Sequence, residues 1–413
     1  MAQVHLTLND QEILDFLTGN RDEAFKLMVQ RIMNEIMKAE SSEQIGVSKH
    51  ERSEERQDYR NGTRERTLNT RIGTLTLTVP RHRNEPFHTM VFQNYKRSEA
   101  ALIATMVQMV VCGVSTRKVT KVVETLCGTR FSKSTVSELC KALDKEVNEF
   151  RNRPLSDLEA PILMVDATYF KVREKHKVIT KAFLVALAIK KDGYREIIGF
   201  DVVDSEDNYS WLNFFQDLRK RGLKEVMMVI SDAHKSIPRA TFKTFPAAAW
   251  QRCQVHLTRN ILDITPTKLQ KGLAVELGNM FKATTIEEAR KIKNEIVADY
   301  ADVAPKAMDI LEAGFEDSMT VMQLPQSMRT SLRSTNMLER LNRELKRRSD
   351  ALQVFPNAES VLRLMGSVAM EENDSYPTKN KLRGYSLLTT KDADLRSALT
   401  KVASNQKALL LAS

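Results

Sequence analysis

The chain has 413 residues, 42% of them apolar and 28% charged, and its 63 Lys and Arg against 53 Asp and Glu leave a formal net charge of +10. That length implies more than one domain, 14 Gly and 11 Pro exclude collagen-like and low-complexity classes, and the basic excess favours a polyanionic partner. The scattered cysteines Cys112, Cys127, Cys140 and Cys253, an apolar run (100–114) too short for a bilayer, and an N-terminus without a basic start and apolar stretch predict a reduced, cytoplasmic protein with no export signal and no membrane span.

Residues 1–44 read as a helical region, with Ile13, Phe16 and Leu17, then Ala24, Leu27, Met28, Ile32, Ile36 and Met37 at helical spacing. Residues 45–150 change character twice. The stretch 49–97 holds eleven Lys or Arg against six acids, a turn signal at Asn61-Gly62, and an alternating run from Arg71 to Val79 that Pro80 is expected to end, so a small basic sheet is predicted. Helix then returns. Val119, Val122, Val123 and Leu126 share one face, Gly128 breaks the run, and a second helix starts among Ser132, Ser134 and Thr135, with Thr135 and Glu138 at capping-box spacing. With Arg117, Lys118, Lys121, Lys133 and Lys141 outward, this resembles a helix-turn-helix; a plain helical hairpin with solvated charges fits the same pattern.

From 151 to 265 the pattern is α/β. Strands are predicted at Ile162–Phe170, Val178–Ile189, Tyr194–Val203, Val226–Ser231 and Ala248–Val255, with a turn at Lys191-Asp192-Gly193. A helix capped by Asn208 turns Trp211, Phe214, Phe215 and Leu218 inward and stops at Gly222. Three strands, a helix, a strand, a helix and a strand resemble the order of an RNase H-like domain. Residues 266–325 read as an all-helical insertion, with Thr285 and Glu288 at capping-box spacing and ten acids against seven bases. Residues 326–373 return to the α/β domain, and 374–413 read as a peripheral tail.

Three acids stand out. Asp166 interrupts the apolar run ILMVDATYF; a buried carboxylate there needs a metal ion or a buried Lys or Arg partner. Asp232 closes the apolar strand VMMVIS, where it either caps the next helix or lies at the strand-end position at which α/β sheets bind ligands. Glu339, in STNMLERLNRELKRR, can complete a cap with Asn336 and pair with Arg343, or serve as a third acid. Converging, the three can hold hard divalent cations. Around them, Arg340, Arg343, Lys346, Arg347 and Arg348 either grip phosphates or form a solvated face, and His234 beside Asp232 could approach a phosphate.

VDATYFKVR (165–173), VISDAHKSI (229–237), WQRCQVHLTRNI (250–261) and STNMLERLNRELKRR (334–348) resemble the bacterial insertion-sequence branch of the Mutator-like DDE transposases. The likeness extends to YRNGTRERTLNTRIGTLTLTVPR (59–81) and CGVSTRKVTKVVETLCG (112–128). It implies an RNase H-like catalytic core with Asp166, Asp232 and Glu339 as triad and metal ligands and two Mg or Mn ions as cofactors. It further implies double-stranded DNA (terminal inverted repeats and target) as partner, a homodimer, a DNA-binding region before residue 150, and transposition by copying out through a circular intermediate. Cys253 and His256 match that family's Cys-x-x-His signature; they supply two zinc ligands where a structural site needs four, and support of the active-site strand, a grip on DNA or a packed core cysteine beside a helix-starting histidine all fit. The rival readings are an RNase H-like nuclease or junction resolvase that never joins strands, and a non-catalytic DNA-binding derivative.

Overall fold

A computed structural model describes residues 21–47, 51, 56–70, 73–89, 91, 103–127, 132–141, 143–350, 352–378 and 381–412. The chain divides into two compact units, Met1–Ala142 and Leu143–Ser413. The predicted helix around Ile13–Leu17, Leu126's packing and the Gly128 break lie outside the described residues or side chains.

In the first unit, α1 (Arg21–Ile45) packs Met37, with Val29, Met33 and Ile36, onto an antiparallel hairpin of β1 (Arg60–Thr70) and β2 (Gly73–His82). Leu75, Leu77 and Val79 point into this core and Thr76 away from it, as the alternation requires. Two expectations are corrected. Pro80 does not end the strand: it pairs with Thr63 and β2 runs on to His82, which a two-stranded sheet tolerates because every strand is an edge. Asn61-Gly62 is not the hairpin turn either. It lies within β1 at the register irregularity between Arg60 and Thr63, where Gly62 has φ +74 and supplies the left-handed step of a bulge.

Beyond a helical stretch at 103–111, α2 (Thr116–Cys127) and α3 (Lys133–Cys140) pack through Val119, Val123, Val136 and Cys140, whereas Val122 sits at the stripe's margin, 38% exposed. Ser132 caps α3 by accepting the Thr135 N–H at 3.0 Å. The expected Thr135–Glu138 box therefore does not form, and Glu138 pairs with Lys141 at 2.9 Å instead.

The second unit opens with α4 (Leu143–Asn152) and is built on a five-stranded sheet of β3 (Ile162–Glu174), β4 (Lys177–Ile189), β5 (Arg195–Val203), β6 (Met228–Ser231) and β7 (Ala249–Arg252). The order is β5-β4-β3-β6-β7; β3, β4 and β5 are antiparallel neighbours, β6 runs parallel to β3, and β7 parallel to β6. Residues 181–189 of β4 are all buried, as a central strand covered on both faces must be. α5 (Asn208–Lys220) covers one face with Trp211, Phe214, Phe215 and Leu218 against Leu163, Val165, Leu184 and Ala186, joined by α6 (Ser236–Thr244). Its cap is Asp207, one residue before the expected Asn208, accepting the Ser210 N–H at 2.8 Å.

α7 (Gln254–Asp263), α8 (Thr267–Met280), α9 (Ile286–Tyr300) and α10 (Pro305–Ser318) gather around a separate core of Leu257, Ile261, Leu273, Leu277, Ile296, Leu311 and Phe315. Thr285 caps α9, while the Glu288 carboxylate accepts the Thr284 N–H at 2.9 Å. After a 3₁₀ turn (Thr320–Gln323) and α11 (Gln326–Leu332), α12 (Asn336–Ser349) lies against β3, and α13 (Ala358–Asp374) packs on β3, β4, β5 and α4.

The expected peripheral tail is corrected. After the short α14 (Leu387–Thr390), α15 (Asp392–Ala412) buries Leu395, Leu399 and Ala403 and packs against β7. Gln406 accepts the Trp250 N–H at 2.9 Å and donates to the Trp250 carbonyl at 2.8 Å. A side chain thus satisfies backbone groups that an open sheet edge would leave unpaired. Among the described residues, no helix is long and apolar enough to cross a membrane.

Candidate active site

The parallel pairing of β3 with β6 decides where the acids fall. Its last pair is Met164 with Ile230, and Asp166 and Asp232 each lie two residues further along. They occupy equivalent positions on adjacent parallel strands, just where β6 stops at Ser231 and β3 continues beside β4. The β3–β6 pairing ends there, at the carboxyl ends of parallel strands, the side on which open α/β sheets bind ligands.

No Lys or Arg pairs with Asp166 among the described residues. Its Oδ1 accepts the Ala167 N–H at 2.9 Å and its Oδ2 accepts Asn342 Nδ2–H at 2.7 Å. Burial, with the nearby charge of Asp232, pushes its pKa up from 3.8 to about 6; the two hydrogen bonds and His256 only partly oppose this. Asp232 is half-buried and accepts the His234 N–H at 3.2 Å. It is not the cap of α6, which starts after Lys235 with no side-chain cap. Asp166 and Asp232 are close enough to interact electrostatically, and Mg²⁺ commonly takes one or two protein carboxylates plus waters and phosphate oxygens. Asp166 and Asp232 are the residues that would hold such an ion.

Glu339 is half-buried in the first turn of α12. Neither bland alternative forms: α12 starts after Thr335 without a side-chain cap, and among the described residues Glu339 pairs with no base. Asn342, one turn on, holds this helix to β3 by accepting the Thr168 hydroxyl at 2.9 Å while donating to Asp166. Glu339 thus shares the helix face of a residue bonded to Asp166. The expected convergence of all three acids is nevertheless not what the structure has: among the described residues, no three His, Cys, Asp or Glu gather closely enough to hold a metal ion. Asn342 occupies the Asp166 oxygen on the α12 side, so the helix meets β3 through an amide rather than a carboxylate.

Cys253 and His256 stand at the start of α7. The Cys253 N–H donates to the Ser231 carbonyl at 2.7 Å, and its buried Sγ accepts the Thr335 N–H at 3.4 Å, tying the ends of β6 and α12 together. Burial raises the Cys253 thiol pKa, but neighbouring His256 outweighs it and the net direction is down. Cys253 raises His256 against burial, with help from Asp166 and Asp232, and the His256 Nδ1 is buried without a hydrogen-bond partner. His234 is partly exposed, with Nδ1 2.5 Å from Ser236 Oγ and 4.0 Å from Glu206.

Asn342, Thr168 and Glu206 escaped the sequence reading. The buried Glu206 carboxylate accepts Trp211 Nε1–H at 3.0 Å and the Tyr169 hydroxyl. Only Asn342 carried a signal, its three-residue spacing from Glu339.

The basic residues of α12 divide by their partners. Arg348 is buried, bridging Glu371 at 2.9 Å and Glu344 at 3.5 Å, so its expected place in a DNA-facing set is corrected: a guanidinium enclosed by two carboxylates holds α12 to α13. Arg347 pairs with Glu344 at 2.8 Å and Arg340 with Glu372 at 3.6 Å. Arg343 and Lys346 are exposed and, among the described residues, unpaired with any acid. In the first unit, Arg117, Lys118, Lys121 and Lys133 are all exposed on α2 and α3.

These features define an α/β protein with a pair of aspartates at the carboxyl ends of parallel strands, flanked by a basic helix. Comparison with known proteins supplies the family. The family described as "Transposase, Mutator family" matches residues 1–379, and the chain belongs to it: it is a transposase, of a class that cuts and transfers DNA. The transposase for insertion sequence element IS256 in transposon Tn4001 of Staphylococcus aureus is 44% identical over 379 residues, covering 91% of this chain and 97% of that protein. That for ISRM5 of Rhizobium meliloti is 39% identical over 369 residues, 89% and 92% of the two chains. That for IS1081 of Mycobacterium tuberculosis is 34% identical over 398 residues, 96% of each.

Proposed function

We propose that this transposase is a DDE enzyme with an RNase H-like catalytic domain, using Asp166, Asp232 and Glu339 and two Mg or Mn ions on the terminal inverted repeats of its own element. The observation that carries the reading is the register of β3 and β6, which leaves Asp166 and Asp232 at equivalent positions on adjacent strands. Three antiparallel strands followed by two parallel ones, in the order β5-β4-β3-β6-β7, support the RNase H-like assignment, and α8–α10 with their own core support a helical insertion between the second and third acids. Residues 1–150 recognise the ends, two subunits pair them, and the element is copied out through a circular intermediate.

The three acids would hold the ions, with Glu339 joining the aspartate pair when DNA and metal arrive. Bound there, the ions would activate the attacking oxygen and stabilise the leaving one. A water oxygen attacks phosphorus, the P–O3′ bond breaks, and the departing oxygen takes a proton to become a free 3′-hydroxyl. That hydroxyl then attacks a second phosphodiester, whose own 3′-oxygen leaves. Ala167 N–H and Asn342 hold the Asp166 carboxylate in one orientation, and Thr168 fixes Asn342 in turn, so this wall is preorganised before substrate binds. Arg343 and Lys346 draw the strand to it.

The test is cleavage of a duplex carrying the terminal repeat, with Mg²⁺, by wild type and Asp166→Asn. Wild type cuts and, given pre-nicked ends and a target plasmid, joins; the variant binds DNA nearly as well and cuts at background level. Retained cleavage by Asp166→Asn would remove the site assignment, and cutting without joining would make the protein a nuclease.

A further inference from the structure

We propose that a cavity between the start of α7 and the α8–α9 and α11 segments is a subsite for one unpaired nucleotide of the DNA strand, an inference that rests on the function proposed above. The cavity measures about 130 Å³, and its walls include Gln254, Phe281, Lys282, Met322, Arg329 and Arg333 but no carboxylate. Among the described residues none of its three cations has an acidic partner. Arg329 donates only to neutral acceptors, the carbonyls of Leu324 at 2.8 Å, Thr284 at 2.9 Å and Met322 at 2.9 Å and the Met322 sulfur at 3.5 Å, which fixes the wall and leaves the charge uncompensated. Three positive charges around one recess call for an anion.

Gln254 adds an independent requirement. It is 4% exposed, its Nε2 donates to the Ser318 carbonyl at 2.9 Å, and its Oε1 is buried with no partner. A buried acceptor needs a donor, which chloride, sulfate and a phosphodiester group all lack. Phe281 and Met322 offer apolar surface for a flat ring. An anionic group, an N–H donor and a flat face together describe a nucleotide: phosphate toward Lys282 and Arg333, base amino group to Gln254. The position suits a strand leaving the acids. The Gln254 N–H donates to the Arg333 carbonyl at 3.0 Å, two residues before Thr335 at the head of α12, and Cys253 bonds to Ser231, the residue before Asp232.

The experiment measures fluorescence anisotropy in EDTA, so that no catalysis is needed, with terminal-repeat duplexes that are blunt or carry a short single-stranded extension. Wild type binds the extended duplex about tenfold tighter, and the double variant Lys282→Ala/Arg333→Ala loses that preference while holding blunt DNA within about twofold; its salt slope on extended DNA drops by about 0.7 for each single-strand phosphate that it no longer neutralises. A neutral methylphosphonate linkage in the extension reproduces the loss with the unaltered protein. An unchanged preference, equal weakening on both duplexes, or displacement of the extension by micromolar free dAMP would each overturn the proposal. Failure of the underlying function would show differently, as wild type that does not distinguish blunt repeat DNA from unrelated duplex.

Discussion

Replacing Asp166 with Asn should stabilise the metal-free protein at neutral pH and do nothing useful in acid. The folded carboxyl titrates at about 6 against an ordinary 3.8. Between those values the unfolded chain has released its proton and the folded chain has kept it, so stability falls as pH rises and levels off above 6. Those 2.2 pH units correspond to about 3 kcal/mol of destabilisation at pH 7.5 and about 1 kcal/mol at pH 4.5. Asn removes this but loses one carboxylate acceptor, which offsets about 1 kcal/mol. The net gain is about 2 kcal/mol at pH 7.5 and near zero at pH 4.5, an increase in Tm of roughly 4 °C that vanishes in acid. Thermal unfolding in EDTA at the two pH values reads it directly. Millimolar Mg²⁺ at pH 7.5 should raise the wild-type Tm and leave the variant's almost unmoved. A variant that is less stable at pH 7.5, or shifted equally at both pH values, would show that burial does not raise the Asp166 pKa and would refute the electrostatic reasoning.

The bases of α12 should separate into two kinds. Arg348→Ala, which leaves Glu371 and Glu344 without their shared guanidinium, should lower stability by about 1–3 kcal/mol in denaturant titration. Arg343→Ala/Lys346→Ala should change stability by less than about 0.5 kcal/mol and flatten the salt dependence of DNA binding by about 1.8 in slope; the opposite assignment of effects would reverse their roles. Gln406→Leu strips the partner from the Trp250 N–H and one of two donors from its carbonyl, where the Thr320 hydroxyl remains at 2.9 Å, and should cost about 1–3 kcal/mol, with hydrogen exchange at the Trp250 amide rising before that of β3; an unaltered Tm would show that α15 is dispensable to the sheet edge.

What could be read from the sequence follows the range of the interactions concerned. Asp166 and Asp232 announce themselves because each interrupts or closes an apolar run, a signal contained in a few neighbouring residues. Their common register becomes visible only when β3 and β6 pair, across a helix and two strands. Asn342 meets Asp166 from 176 residues away, and Gln406 meets Trp250 from 156 away; each is a polar residue whose role is decided by a partner that no periodicity names. The same limit governs the five bases of α12. Their count and spacing are plain in the sequence, yet Arg348 is turned inward by Glu371 on another helix while Arg343 and Lys346 stay exposed. Glu339 is the sharpest instance. Its helix and face could be inferred, but the amide of Asn342 holds the Asp166 oxygen on that side, and no local pattern says which of two residues on one face reaches the strand first. In the metal-free protein an amide beside Asp166 is the cheaper arrangement, since a third carboxylate would add repulsion to a group already pushed to about 6.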